Sequence, residues 1–179
     1  LWSNMGLHAH AQPEPLMRQW SSSLNDQGFV MFSCLGPDSL LELRQVYDVL
    51  GWGAPHHAFT DMHDWGDMLL QAGFASPIMD MERITLTYAT PQELLNDLRG
   101  LGRNLSPQRF AGLRGRRWLS TLQQSLLRHL ASERHDGRLA LTFEVVYGHA
   151  FKAQPRTPVK AQTEVNLQDM KAMLRQSKR

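Results

Sequence analysis

A run of positive charge is the feature of this sequence best suited to bind another molecule. In a chain of net charge +2, residues 99–138 hold nine arginines, no lysine and two acids. That segment therefore has a net charge of +7 and the remainder −5. Arginine pairs bidentately with carboxylates and phosphates, so an asymmetry of this size predicts an anionic partner. The arginines are Arg99, Arg103, Arg109, Arg114, Arg116, Arg117, Arg128, Arg134 and Arg138.

Two other interpretations of these arginines stay open. Each arginine could belong to a solvated helix face, where an exposed charge contributes little to stability. Nucleic acid is the second anionic partner to weigh. The segment has only Phe110 and Trp118 as aromatic residues, which gives poor support for a base-stacking platform. Nucleic acid is therefore the less favoured partner.

A second group of residues carries the side-chain types that bind metals. His56, His57, Asp61, His63 and Asp64 lie close together in the sequence. Adjacent histidines do not converge easily on one ion, and the two aspartates are better explained as acids in the first turn of a helix. We therefore expect no metal.

The single cysteine limits the redox chemistry of the chain. Cys34 excludes an internal disulfide framework and a cysteine-rich zinc site. It lies inside an apolar run, so we expect an inert buried thiol.

The periodicity of the chain supplies the scaffold. Apolar and β-branched runs predict strands at residues 29–34, 78–88 and 139–151, and residues 1–4 are typical of the end of a buried strand. Helical spacing predicts helices at residues 15–24 and 118–133. It also predicts one helix after an Asp38 cap, one at residues 61–72 after a Thr60 cap, and one that begins at Thr90–Pro91. Strands that alternate with helices indicate an α/β fold with a mostly parallel sheet. The last strand could be antiparallel, because no single crossover helix precedes it.

Length and composition allow one domain with a core of its own. Nothing resembles a signal peptide, and no apolar stretch approaches the ~20 residues that cross a bilayer. We therefore expect a cytoplasmic protein without a membrane partner. Because Leu1 begins at the end of a strand, we expect sequence to be missing upstream; a trimmed but complete domain is the alternative. Residues 153–179 are polar and contain prolines, which predicts a flexible tail.

Several segments, in order, resemble one enzyme family. Residues 2–8 (Trp-Ser-Asn-Met-Gly-Leu-His) resemble the segment after the fourth strand of class I S-adenosylmethionine-dependent methyltransferases, and residues 24–33 resemble the stretch leading into their fifth strand. Residues 32–44 are similar to a narrower group, the malonyl-[acyl-carrier protein] O-methyltransferases of biotin synthesis. Further segments that fit this group are residues 59–64, 72–74, 84–88 and 147–150.

The resemblance implies a partial fold. It covers residues 1–152 and corresponds to strands four to seven of a Rossmann-like methyltransferase sheet, with a helical insert at residues 91–137 between the last two strands. The family's glycine-rich loop after the first strand and its ribose-binding acid have no counterpart here. The resemblance therefore implies the C-terminal portion of the domain, with weak cofactor binding and little turnover by itself.

The resemblance also implies roles for individual residues. Ser3, Asn4 and Met5 would line the methionine end of the S-adenosylmethionine pocket, although Asn4 could instead only cap a turn. Tyr147 and His149 would flank the acceptor, and the insert would act as a lid. Acyl carrier proteins are acidic, so the candidates for docking one, or its phosphopantetheine phosphate, are Arg103, Arg109, Arg114, Arg116 and Arg117.

Three functions remain at this stage. In the first, the parent enzyme methylates the free carboxylate of malonyl-acyl carrier protein, a reaction that requires no catalytic base because the carboxylate is already ionised. In the second, the protein resembles the respiratory complex I assembly factors that modify a protein arginine. In the third, it is a non-enzymatic module that binds an acidic partner. No catalytic residue is predicted.

Overall fold

A computed structural model describes residues 1–102 and 104–154 of the chain. Within them, four strands and five α-helices alternate, with single 3₁₀ turns at Leu7–Ala9 and Glu133–His135. The strands are β1 (Trp2–Ser3), β2 (Phe29–Leu35), β3 (Phe74–Tyr88) and β4 (Leu139–Lys152). The helices are α1 (Pro13–Ser23), α2 (Leu41–Val49), α3 (Met62–Gln71), α4 (Pro91–Gly100) and α5 (Arg116–Leu130).

The four strands form one mixed sheet in the order β1-β2-β4-β3. β1 pairs with β2 in parallel, and β4 runs antiparallel to both β2 and β3. The last strand is thus inserted between two earlier strands. The expectation that it could be antiparallel is confirmed.

Helices cover the two faces of the sheet, and each face has its own core. On one face α1 and α3 bury Met17, Trp65 and Leu69 against β2 and β4. On the other face α2, α4 and α5 bury leucines, among them Leu94 and Leu126, against the first half of β4. Neighbouring residues of β4 point to opposite faces, so this strand contributes to both cores.

Part of the second face has no helix over it. Here the apolar side chains of β1, β2, β3 and the second half of β4 are open to solvent, with Trp2 78%, Ile78 64% and Phe151 47% exposed. We call this the open face; its other members are Phe29, Met31, Tyr147 and His149. A contiguous exposed apolar patch of this kind is typical of a surface that contacts another element or partner.

Most boundaries differ from the sequence-based predictions by a few residues, and three of the differences concern a predicted cap or the start of a strand. Asp61, not Thr60, caps α3, because its carboxylate accepts the His63 N–H at 2.8 Å. Asp38 does not cap α2, which begins at Leu41 after the left-handed Leu40. β3 begins at Phe74 rather than at residue 78 and has an irregularity between Ala75 and Ile78.

Asp38 is held by distant partners instead of by a helix. Its backbone N–H donates to the carboxylate of Glu144 at 2.7 Å, and its own carboxylate pairs with Arg83. Glu144 is buried on β4, so the turn between β2 and α2 is fixed from the neighbouring strand. These contacts span more than 40 residues of sequence, and no local pattern reveals them.

Three further sequence-based predictions concern the cap of α4, the C-terminal tail and membrane spans. Thr90 caps α4 as predicted, since its hydroxyl accepts the Glu93 N–H at 3.2 Å. Most of the predicted tail lies outside the described residues, which end at 154. No helix in the described part of the chain is long and apolar enough to cross a bilayer.

Candidate functional site

The loop after β1 is fixed by one side chain of β2. The Ser33 hydroxyl donates to Oδ1 of Asn4 at 2.6 Å and accepts the Met5 N–H at 3.1 Å. The same N–H also lies 2.9 Å from the Ser33 carbonyl oxygen. Met5 adopts a left-handed φ of 51°, which non-glycine residues rarely do without such support. The predicted site residues Ser3, Asn4 and Met5 therefore lie together on a constrained loop.

The position of this loop is one at which α/β sheets bind ligands. Because β1 and β2 are parallel, both carboxyl ends lie at one edge of the sheet, and such edges are where open α/β sheets hold small molecules. Asn4 is exposed there. Its Oδ1 is occupied by Ser33, and its amide Nδ2 has no hydrogen-bond partner among the described residues. That amide can donate to a ligand.

A cavity of about 340 Å³ opens beyond the end of β2. We call it the strand-end cavity. Its walls come from the 3₁₀ turn Leu7–Ala9, the end of β2, α2, the loop before α3, α4 with the segment after it, and α5, and they are mainly apolar. Among the described residues, the ionisable side chains in the wall are one arginine, three histidines and a tyrosine, with no acid. Those basic residues are His8, His56, His57 and Arg99.

The three histidines and Phe59 hold one another in place. The His57 Nε2 lies 2.9 Å from the carbonyl oxygen of His8, and the His56 Nδ1 lies 2.6 Å from the carbonyl oxygen of His57. The Phe59 ring stacks on His56 with 4.8 Å between centroids and meets His57 edge-on. These contacts fix the orientation of the three rings.

Burial favours the neutral form of two of these histidines by lowering their pKa. It is the largest cause of the lowered pKa of His8, and the neighbouring His57 lowers it further. Burial also lowers the pKa of His56. The hydrogen bond to the His57 carbonyl opposes that shift, while Arg44 and His57 add to it. The cavity wall is therefore less positive than a count of its histidines suggests.

A second space of about 460 Å³ adjoins the first. Its wall includes Met5, Tyr88 and Asp97, and it shares Leu35 and Leu101 with the strand-end cavity. The two spaces therefore lie side by side. One has Met5 of the loop after β1 in its wall, and the other has the three histidines.

The predicted partner-binding arginines do not share one environment. Arg114 is half-buried and lies among three rings, with its guanidinium carbon 4.4 Å from the centroid of Phe110, 4.7 Å from Trp118 and 5.6 Å from Trp52. That contact joins the insert to the loop after α2. Arg109, Arg116 and Arg117 are exposed and form no ion pair with any described residue. Arg103 lies outside the described residues.

Tyr147 and His149 lie away from the cavity. Both belong to the open face, and neither forms part of the wall of the two spaces. The Tyr147 hydroxyl donates to Glu82, and this hydrogen bond is the main cause of its raised pKa. His149 packs between Phe29 and Phe151. Their predicted place beside an acceptor therefore finds no support in the two spaces and stays a prediction.

Several residues of the site were not predicted from the sequence. His8 and Ser33 received no role, although a serine within the buried run of β2 is a polar exception that could have drawn attention. His56 and His57 were assessed only as metal ligands. Across residues 1–102 and 104–154, no three His, Cys, Asp or Glu side chains converge to hold a metal ion.

Comparison with known proteins adds a sequence relationship. No protein-family model matches the chain. It is 42% identical over 157 residues to the malonyl-[acyl-carrier protein] O-methyltransferase of Gallionella capsiferriformans, and 41% identical over 161 residues to that of Nitrosospira multiformis. These matches cover 87% and 89% of this chain, but only 53% and 51% of the two relatives.

The chain is homologous to part of the malonyl-[acyl-carrier protein] O-methyltransferases. It spans about half the length of the curated relatives that it matches, which agrees with the expected C-terminal portion. The fold agrees as well. The YcgJ protein of Bacillus subtilis superposes with a TM-score of 0.52 at 9% identity, over 86% of this chain and 63% of that one. The predicted α/β fold class, a partial Rossmann-like sheet, is confirmed.

Within this relationship the predicted helical insert has a clear position. α4 and α5 lie between β3 and β4 in sequence, where the resemblance to the malonyl-[acyl-carrier protein] O-methyltransferases placed a lid. Leu98, Arg99 and Trp118 from these helices form one side of the strand-end cavity. The insert thus covers the cavity that adjoins the loop after β1.

Proposed function

We propose that the chain is the acceptor-binding portion of an S-adenosylmethionine-dependent methyltransferase that esterifies the free carboxylate of a malonyl group on an acyl carrier protein. One observation carries the proposal. A chain related to the malonyl-[acyl-carrier protein] O-methyltransferases has a cavity without acidic residues, among those described, at the carboxyl edge of two parallel strands. A cytoplasmic location is part of the same proposal.

For this reaction the protein has mainly to position the methyl donor and the acceptor and to exclude water. S-adenosylmethionine supplies, when bound, a methyl group on a positively charged sulfur. A carboxylate oxygen attacks that methyl carbon in line, the new C–O bond forms as the C–S bond breaks, and no proton moves. A malonyl carboxylate is already ionised near neutral pH, so no side chain has to act as a base. The walls of the cavity orient the acceptor and keep water away.

Asn4 and its neighbours fit the methionine end of the cofactor. The unpartnered Nδ2 of Asn4 is a donor for a carboxylate, and Ser33 holds the side chain in one orientation. Ser3 and Met5 flank it on the constrained loop, and Met5 forms part of the open space beside the strand-end cavity. A methyl donor held at this loop would lie next to an acceptor in the cavity.

The charge of the cavity favours an anionic acceptor. Arg99 is the one arginine among its described residues, and the absence of acids there removes repulsion of a carboxylate. Arg99 is exposed, and one guanidinium nitrogen lies 3.3 Å from Oδ1 of Asn96, so its other donors can pair with an entering carboxylate. We propose that Arg99 receives the malonyl group.

The acidic carrier protein would dock on the insert. Arg109, Arg116 and Arg117 are exposed near the start of α5 and have no acidic partner among the described residues. Two cations in the first turn of a helix oppose its dipole, so they do not stabilise α5 itself. A negatively charged partner would offset that cost.

The open face of the sheet would be covered by the other half of the domain. The curated relatives are about twice as long as the matched segment, and a contiguous exposed apolar patch is typical of a surface that another element covers. We propose that residues 1–152 are one portion of such a domain, with residues 91–137 as its lid. The exposed side chains of Trp2, Ile78 and Phe151 would then be buried against the additional half.

A chimera tests the proposal. The chain replaces the matching half of the Gallionella capsiferriformans relative, and the product is incubated with methyl-labelled S-adenosylmethionine and malonyl-acyl carrier protein. We expect a base-labile methyl ester on the malonyl group. Acetyl-acyl carrier protein is the matched control, because it lacks the carboxylate and should remain unlabelled.

Two results would reject this function. One is label on a protein arginine instead of the acyl group, which is the outcome expected of a protein-modifying relative. The other is a folded chimera that binds S-adenosylmethionine and labels neither acceptor. An Arg99→Gln chimera should raise KM for malonyl-acyl carrier protein more than it lowers kcat, while Arg128→Gln, on the exposed far end of α5, should change neither.

A further inference from the structure

The open face lies beside the point at which the described part of the chain ends. Phe151 belongs to this face, and β4 ends one residue later at Lys152. The chain is held there, because the Ala153 N–H donates to the carbonyl oxygen of Gly73 at 3.0 Å. Residues 155–179, which we call the C-terminal segment, therefore start from the rim of an exposed apolar surface.

The open face and the C-terminal segment have opposite charges. Asp80 is the cross-strand partner of Tyr147, so it lies on the open face, and Glu82 lies on the same side two residues further along β3. Both acids are exposed, and neither forms an ion pair with a described residue. The C-terminal segment holds six lysines and arginines against two acids. The face would therefore attract the segment.

The C-terminal segment also has the sequence pattern of an amphipathic helix. Thr163 is a suitable N-cap, and Glu164 puts an acid in the first turn. Leu167, Met170 and Leu174 recur at the i, i+3, i+7 spacing that forms one apolar stripe. At 3.6 residues per turn, three basic residues follow one flank of this stripe: Lys171, Arg175 and Lys178.

The dimensions of the segment match those of the face. A helix of residues 164–176 would be about 20 Å long. The four strands of the sheet span about 15 Å at a spacing of about 4.8 Å. Residues 155–163 form a linker that can extend to about 30 Å. The helix can therefore reach the face and cross all of its strands.

We propose that residues 164–176 form a helix that packs on the open face of their own chain. The apolar stripe of this helix would lie against the exposed rings of Trp2 and Phe151. Its basic flank would face the carboxylates of Asp80 and Glu82. The segment would thereby remove from water the apolar patch that the helices of the described chain leave uncovered.

A second copy of the chain is the competing occupant of this face. An isologous dimer brings the same patch of both copies together, so two acidic patches would meet. The C-terminal segment is basic, and its attachment to the same chain raises its effective concentration to the millimolar range. Both arguments favour the segment over a second copy.

The C-terminal segment and a further half-domain could not occupy the open face together. The proposed function assigns this face to the other half of a longer domain, so the segment would be a cover that the other half displaces. The packing of the segment needs neither S-adenosylmethionine nor an acceptor. Its test is therefore independent of methyl transfer, and a failure of one proposal leaves the other standing.

Hydrogen exchange of the full chain, measured by mass spectrometry, provides the first test. We expect slow exchange of the amides of residues 164–176, because a docked helix protects them. The stripe variant Leu167→Asp/Met170→Asp/Leu174→Asp should exchange at least about 10-fold faster there, since it loses three buried apolar side chains. The matched control adds three acids to the opposite side of the helix and should stay protected: Gln168→Asp/Ala172→Asp/Gln176→Asp.

A nitroxide label on Ser177→Cys shows where the segment lies. Cys34 is buried, so the label attaches to the new thiol. We expect the label to broaden the nuclear magnetic resonance signals of Trp2 and Ile78 more than that of Trp20, which packs in the core of the other face. The stripe variant should lose this difference.

Three results would overturn the proposal. One is exchange of residues 164–176 as fast as in an unstructured peptide, and another is equal protection in the stripe variant. The third uses ¹⁵N-labelled chain without nitroxide, mixed with spin-labelled chain. Broadening of the Trp2 signal in that mixture would identify a second copy, rather than the chain's own segment, as the occupant.

Discussion

Replacing Gly148 with alanine should destabilise the sheet by a predictable mechanism. Gly148 lies opposite Phe32 in the β2–β4 pair. A Cβ there would stand 2.3 Å from Cζ of Phe32 and 2.4 Å from its Cε1, whereas carbon atoms pack best at about 3.5–4.0 Å. The ring would have to move by about 1 Å or more. It has little room, since it is 2% exposed and packs edge-on against Trp65.

Overpacking of this kind costs about 1–3 kcal/mol. For a chain of this size each kcal/mol lowers the melting temperature by roughly 2–4 °C, so Gly148→Ala should melt roughly 2–12 °C lower. Urea unfolding followed by circular dichroism measures the free energy, and calorimetry measures the temperature. Gly100→Ala is the control, because nothing lies near its Cβ position at the end of α4, and it should be neutral or stabilising by up to about 1 kcal/mol.

A double variant identifies the cause. Phe32→Leu removes the ring that the new methyl group would strike, so Gly148→Ala should cost less in that background than in the original chain. Strict additivity of the two changes, or a Gly148→Ala chain as stable as the original, would refute the reasoning.

Three further predictions follow from the site and the core. Ser33→Ala removes the donor that orients Asn4 and should cost about 1 kcal/mol in urea unfolding; no loss would mean that the loop is held by its backbone alone. The pKa values of His8 and His56 are lower in the folded chain than in the unfolded chain, so the unfolded chain binds more protons. The free energy of unfolding should therefore fall as pH drops through about 6.5. A His8→Gln/His56→Phe double variant should flatten that pH dependence. Burial raises the pKa of Cys34 to about 12, so iodoacetamide should label it only when the chain unfolds, and labelling of native protein would contradict its placement.

The sequence anticipated the elements better than their boundaries. Period-two and period-3.6 patterns found every long strand and helix, because burial of one face imposes those patterns locally. The start of α2 could not be found in this way. Asp38 is drawn to Glu144 and Arg83, which lie 106 and 45 residues away, and that competition displaces it from a capping position.

The residues of the candidate site also divide into those that a local sequence pattern could identify and those that it could not. Asn4 and its neighbours could be selected because they follow a strand and resemble a family segment. The strand-end cavity could not, because its wall combines His8, Leu35, the loop around His56, and the two insert helices. Only the three-dimensional arrangement shows that these separate segments meet around one cavity.

The position of β4 in the sheet has a consequence for synthesis on the ribosome. β2 and β3 do not pair with each other, because β4 lies between them and forms a ladder with each. A nascent chain that has emerged only as far as α5 would therefore hold β2 and β3 without the strand that pairs with both. A premature stop codon before Leu139 would remove the β2–β4 and β3–β4 ladders together. We expect translation products shortened by this one strand to be targets for proteolysis, however intact their helices.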